Sequence, residues 1–423
     1  MSDPVVAPLA IDRCNTLYAA TRGGLLYAID PNGEVKWTYA CGSAVTASPL
    51  ISADGTVYVV TDDGSLHAVS GEGAALWILT IGVPASCSPA IRSDANEIYV
   101  TDERRLLAID PEGRVTWSVD LGSGGTTSPS VGLSSEIYVG SDNGALYRVN
   151  SDGSIEWVYQ VGGAVRSWPV VWSDGTVYFG CDDGNLYAVS ADGSLKWTFR
   201  AEEAVLSSPV IGPDGTVYFG SAGGTVFALT NGGELRWSLL VGAPIRCTPA
   251  LDADGTIYVS TEDGSLHAID SSGRFRWSQT VEGATLSSPI IGPDWSVYVG
   301  STDGNVYGFY EAADENGGSG SLQNGDDAEF VPVPAGEATS GQGLLSSIAE
   351  ALTTNKLRGA AQGDRIYYTY GLPWLALGTR YYWRIVASDG QYEALGPGAT
   401  EEEVWSFRAN SSPTARFTIE PSV

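Results

Sequence analysis

The chain has 423 residues, 43% hydrophobic and 10% aromatic, with 53 glycines and 21 prolines in no three-residue period; this composition supports a packed, turn-rich core and excludes a wholly disordered or collagen-like chain. Fifty acidic against 22 basic residues leave a net charge of −28, so duplex nucleic acid and anionic lipid are repelled and neither is expected as a partner. No stretch approaches the ~20 apolar residues of a membrane span, and Met1-Ser2-Asp3-Pro4 lacks the basic and apolar regions of a signal peptide.

Residues 1–310 are a repeat. Trp37, Trp77, Trp117, Trp157, Trp197, Trp237 and Trp277 stand 40 residues apart. Parallel ladders run through Pro49 to Pro289, Tyr18 to Tyr298 and Gly24 to Gly304, and self-similarity at this period marks a repeat architecture. Within a unit the apolar pattern alternates, which means strands. The unit at 47–81 reads as an inner strand over 47–52, a second over 56–61, a third over 65–70 and an outer one over 75–81. Asp-Gly pairs between them supply the positive φ that tight hairpin turns demand. Four antiparallel strands per unit predict an all-β fold, a β-propeller of four-stranded blades.

The inner strand begins eight times, near Ala7, Ala47, Cys87, Thr127, Ser167, Ser207, Cys247 and Ser287. The Trp-bearing outer strand occurs seven times, so thirty-one strands are expected and eight blades are predicted. The missing strand belongs to the eighth blade: a segment before Met1 or residues 329–334 supply it, or the blade stays open. The third unit departs from register, with Tyr99 one place late and Arg104 in the glycine slot, as a one-residue insertion near Ala95 and a compensating deletion before Leu107 would produce.

The stretch from Ala28-Ile29-Asp30 through Gly33 to Trp37, repeated from Ala108 to Trp117 and from Ala268 to Trp277, resembles the PQQ-like, quinoprotein-type propellers with their tryptophan-docking motif. The resemblance covers residues 1–310 and implies that each of the seven indoles packs against the peptide and glycine of a neighbouring blade. The dehydrogenases of that family carry long insertions, a calcium site, a catalytic Asp and often adjacent cysteines. This chain shows none of these, so neither PQQ nor calcium is expected as a cofactor and the chain is not expected to be an enzyme. It looks more like the non-catalytic members, which are similar to the propeller lipoprotein of bacterial outer-membrane protein assembly. Cys14, after Ala10-Ile11-Asp12-Arg13, is not in a lipoprotein cleavage site.

The chemical candidates have plain structural readings. His67 and His267 hold the third-strand slot filled elsewhere by Tyr27, Tyr147, Tyr187, Phe227 and Tyr307, as rings that fill a blade rather than as metal ligands or bases. No G-x-S-x-G elbow accompanies them. Asp62-Asp63, Asp182-Asp183 and Glu262-Asp263 precede turn glycines, and Asp252-Ala253-Asp254-Gly255 lacks the remaining ligands of a calcium loop. Cys14, Cys41, Cys87, Cys181 and Cys247 form an odd set without C-x-x-C spacing and read as free thiols.

Function in such repeats resides where loops vary. The connection from an outer strand to the next inner strand is the most variable part of the unit, and should ring a central channel. Arg166, Trp168, Glu202, Glu203, Arg246 and Glu282 break the small-residue habit of their slots there. Trp168 replaces the usual Ser before proline, and an indole beside Arg and carboxylates has the chemistry to hold a sugar, peptide or anion.

After Tyr310 the period ends. Residues 311–327 read as a flexible acidic Gly/Ser linker. Residues 328–409 resemble a fibronectin type III sandwich in their second half, from Leu375 to Ala387 with Trp405-Ser406-Phe407 as final strand. Residues 410–423 resemble the opening of a further immunoglobulin-like module. The combination reads as a piece of a longer surface or secreted prokaryotic protein, extracellular, cell-surface or periplasmic, and monomeric. The leading expectation is a non-catalytic scaffold that binds a protein or glycan partner on the propeller's loop face. The alternatives are a quinone-dependent dehydrogenase or polysaccharide-acting enzyme, and a structural spacer.

Overall fold

The computed structural model describes residues 3–309 except 83–86, 93–94, 123–126 and 294, together with the backbone of three strands nearer the C-terminus. The expected linker at 311–327 and most of the two expected sandwich modules lie outside the described residues. Those three strands, Arg384–Ala387, Glu393–Leu395 and Ala415–Thr418, form one antiparallel sheet with the first of them central.

Residues 3–309 form eight antiparallel sheets in sequence order, seven of four strands and a last one of three among the described residues. In the first blade the strands are Ala10–Ile11, Leu17–Ala20, Leu25–Ile29 and Val35–Ala40. The same order recurs up to Ile290–Ile291, Val297–Gly300 and Val306–Phe309 in the eighth. The strand number matches the expectation from sequence. The inner strands are shorter than expected: the second blade's ladder starts at Leu50, paired with Tyr58, rather than at Ala47. Pro49 and its counterparts have no N–H to give a ladder, so the residues before them run alongside the sheet instead of in it.

The irregular third blade is confirmed in detail. Ala90 pairs with Tyr99, nine residues on, where Leu50 pairs with Tyr58, eight residues on. The following turn is one residue shorter, closed by Asp102 N–H donating to Arg105 O at 3.0 Å, so Ala108 again faces Trp117 as Ala68 faces Trp77.

The core lies between blades. Each apolar cluster joins the second and third strands of one blade to those of the next; Tyr18, Leu26 and Ala28 pack with Val57, Val59 and Val69. One cluster sets Val5, Leu9, Leu17 and Ala19 against Ile290, Tyr298 and Val306, so the eighth blade meets the first and the ring is closed. Val5 N–H donates to Ser301 O at 3.0 Å. Val45 N–H makes the equivalent bond to Thr21 O between blades one and two.

Two further devices hold neighbours together. Six indoles reach into the next blade: Trp37 Nε1 donates to Gly71 O at 2.8 Å, and Trp77, Trp117, Trp157, Trp197 and Trp237 donate in the same way at 2.8–3.0 Å. The residue 34 positions beyond Trp277 lies outside the described residues. All seven indoles sit 5.6–5.9 Å from a tyrosine of their own blade, such as Tyr178 for Trp197. On the inner strands a hydroxyl stitch links blades. Ser48 N–H donates to Ser88 Oγ at 2.9 Å, Ser88 N–H to Ser128 Oγ at 2.8 Å and Thr248 N–H to Ser288 Oγ at 3.0 Å.

Candidate functional site

Inner strands of successive blades neighbour one another between blades one and two, three and four, four and five, and seven and eight, and beside the inner strands lie two adjoining cavities. Leu251 and Ile291 line both. One opens on the side of the loops that lead from outer to inner strands, the other on the side of the turns between inner and second strands.

The loop-side cavity measures about 360 Å³ and is walled by Pro8, Leu9, Pro249, Pro289, Ile290 and Trp168, with Ser48, Thr248 and Ser288 as its hydroxyls. Trp168 is half-buried. Its N–H keeps the stitch by donating to Ser208 Oγ at 2.8 Å, but an indole offers no hydroxyl back to Ser128, so the serine ladder is interrupted at the joint of blades four and five.

Of the six residues singled out from the sequence, Trp168 alone among them lines this cavity. Arg166 lies outside it, exposed, and clamps two blades: its Nε meets Asp142 at 3.0 Å and an Nη meets Asp182 at 2.9 Å. Arg246 pairs with Glu262 of the seventh blade. Glu202, at a left-handed φ of 68°, is 3.4 Å from Arg200. Glu203 is exposed and stands over Gly223. Glu282 is exposed, and its carbonyl accepts from Ser301 Oγ. The arrangement is thus a ring of charge around an apolar mouth, not one pocket uniting Arg166, Trp168 and Glu202. The cause is local: the loops that carry Arg166 and Arg246 fold onto the acidic turns of their own blade joints, as Thr46 Oγ1 also does on Asp62 at 2.7 Å.

The turn-side cavity measures about 420 Å³ and is lined by Ile11, Leu251, Ala253, Ile291, Gly292 and Pro293, with Asp12, Arg13, Asp252 and Trp295 at its rim. Trp295 was not among the residues picked from the sequence. The signal was there: the turn reads Pro293-Asp294-Trp295 where the sixth blade has Pro213-Asp214-Gly215.

The remaining candidates are structural. His67 and His267 are 4% and 7% exposed; Nδ1 of His67 is 3.1 Å from Tyr39 OH, and Nδ1 of His267 bonds Ser278 Oγ. Burial pushes both imidazole pKa values below the usual 6.5, against a weaker upward pull from Asp63 and Asp263. Turn aspartates serve their own loops: Asp174 accepts from Thr176 N–H at 2.9 Å, and hydrogen bonding to Thr176 is the main cause that holds its pKa at about 2. Among the described residues no group of three His, Cys, Asp or Glu stands close enough to hold a metal ion. The cysteines are free thiols, Cys14 exposed and the other four buried.

Eight antiparallel units closed on themselves, seven of four strands and one of three among the described residues, define an eight-bladed β-propeller of the PQQ-like repeat class. The family described as outer membrane protein assembly factor BamB matches residues 4–106, 102–249 and 231–315, and the chain belongs to that family. No curated protein sequence matches it. Among solved structures it is similar to BamB from Moraxella catarrhalis, with a TM-score of 0.62, 19% identity, and coverage of 71% of this chain and 95% of that one. A computationally designed protein, Ika8, gives a TM-score of 0.65 at 17% identity, covering 74% and 97%. The quinohemoprotein alcohol dehydrogenase of Comamonas testosteroni gives 0.60 at 13% identity, covering 70% of each. At these identities the likeness is one of fold.

Proposed function

We propose that the chain is a non-catalytic interaction scaffold, acting as a monomer outside the cytoplasm, whose loop-side mouth engages a protein partner. The observation that carries this reading is Trp168: a large indole takes a serine's place, interrupts the inter-blade stitch and lines a mainly apolar mouth while only partly buried. Trp and Arg are the residues that most often dominate protein interfaces, and Arg166 and Arg246 stand on the surrounding loops with 55% and 57% of their side chains exposed. The family's description as an assembly factor agrees with a role in bringing proteins together.

The test is capture of envelope proteins on immobilised full-length chain, compared with the R166A/W168S double variant after both are shown to melt alike. The expected result is a partner retained by the wild type and lost by the variant. A rise in melting temperature with PQQ and calcium together would overturn the reading in favour of a quinone-dependent enzyme, because a ligand that prefers the native state must stabilise it.

A further inference from the structure

We propose that the turn-side mouth of the channel is a saccharide-binding site with Trp295 as its platform. Three observations meet there. The first is strain. All eight turns between inner and second strands pass through a left-handed residue, and the occupants are Asn15, Gly55, Asn96, Ser135, Gly175, Gly215, Gly255 and Trp295, with φ between 50° and 86°. Glycine adopts that conformation freely and asparagine tolerates it, whereas for a bulky residue it is an outlier. Trp295 at φ 67° is therefore held where its backbone is unfavourable, and such outliers persist at binding sites.

The second is exposure. Trp295 leaves 53% of its surface in water, so the strain is not repaid by full burial of the ring. The third is the open recess of about 420 Å³ beside it. Its walls are mostly aliphatic, and its polar groups are few and divided between acceptors and a donor. Asp12 is committed to its own turn, accepting from Cys14 N–H and Thr16 N–H at 2.8 Å and from Tyr18 OH at 3.2 Å. That turn presents Arg13, which makes no ion pair among the described residues. Asp252 accepts from Asp254 N–H at 2.9 Å through Oδ1 and lines the same cavity.

Ligand class follows from this set. An anion is disfavoured by two carboxylates against one guanidinium on a chain of net charge −28. A compact, strongly hydrated cation gains nothing from aliphatic walls. A pyranose suits every feature: its C–H face lies on the indole, and hydroxyls on its edge donate to Asp252 and accept from Arg13. The site is on the face opposite Arg166 and Arg246, so it stands or falls independently of the protein-partner reading.

The experiment is saturation-transfer NMR on the full-length chain at pH 7 with maltotriose, cellotriose and chitotriose, and with a proline-rich decapeptide as the peptide arm. At least one trisaccharide is expected to receive saturation from the protein. W295G is expected to weaken its binding at least tenfold while the protein stays folded, since glycine holds this slot in four sister blades; W295N is a second variant that suits the same turn. L133S, in the equivalent turn of the fourth blade, is expected to bind as the wild type does. Absence of signal from all three sugars, equal binding by W295G, or Trp295-dependent binding of the peptide without any sugar would each overturn the proposal.

Discussion

Trp197 and Gly233 are in contact across the joint of blades five and six: the indole Nε1 donates to Asn231 O at 2.9 Å, and a Cβ on Gly233 would fall 2.6 Å from the ring. Gly233 has a φ of 86°, so backbone and space independently demand glycine there. Gly233→Ala is expected to destabilise the protein by about 1–3 kcal/mol from backbone strain alone, with the overlap adding to it. Urea unfolding followed by tryptophan fluorescence measures the effect; an unchanged midpoint would show that the joint yields without cost.

Ser208 contributes a different kind of joint. It is 4% exposed and its hydroxyl accepts the N–H of Trp168, so Ser208→Ala leaves a donor without its partner in the ring's interior. The expected cost is about 1–3 kcal/mol. Ser208→Thr restores a hydroxyl and should recover most of that loss in the same assay.

Acid should weaken the fold through the two histidines. Their folded pKa values lie below the 6.5 of the free side chain, so the unfolded chain binds the proton better. Their contribution is complete above about pH 6.5 and is lost as the pH falls through that value toward the folded one. Imidazole proton shifts should therefore titrate with midpoints under 6.5. The pair H67F/H267F, which copies Phe227, should flatten the slope of stability between pH 7.5 and 5.

Thiol chemistry should separate one cysteine from four. Cys14 is exposed, whereas burial pushes Cys41 and Cys181 up to about 12 and raises Cys87 and Cys247. A disulfide exchange reagent at pH 8 is expected to titrate one thiol at once and the remainder only in denaturant, because the thiolate is the reacting form. Rapid loss of a second thiol would mean that a blade opens in the native state.

Much of the fold was legible because each repeat states the same local physics. Turn glycines, alternating apolar residues and the Trp ladder point to one blade, and even the slipped register around Tyr99 was visible in the spacing. The inner strand was overextended because apolar alternation continues through Ala47 and Ser48, while pairing is cut by Pro49. The candidate site was legible only in part. Arg166 and Trp168 are two residues apart, yet one faces the acidic turns of the blade joint and the other the channel, a division that period-2 alternation does not reveal between a loop and the strand it enters. Trp295 escaped notice for a simpler reason: turn positions are accounted for by geometry, and the residue that defied that geometry was the informative one.

The indole contact has a direction: every one of the six bonds runs from a blade to its successor and none runs back. In the language of assemblies, each of these six joints is heterologous, a head meeting a tail, as between the protomers of a cyclic oligomer that happen to share one backbone. Blades one to four would end on the unsatisfied indole of Trp157 and blades five to eight would begin with its acceptor, Ala191 O, so two half-chains would be complementary there, and the apolar contacts of Val5, Leu9, Leu17 and Ala19 with Ile290, Tyr298 and Val306 would close the other joint.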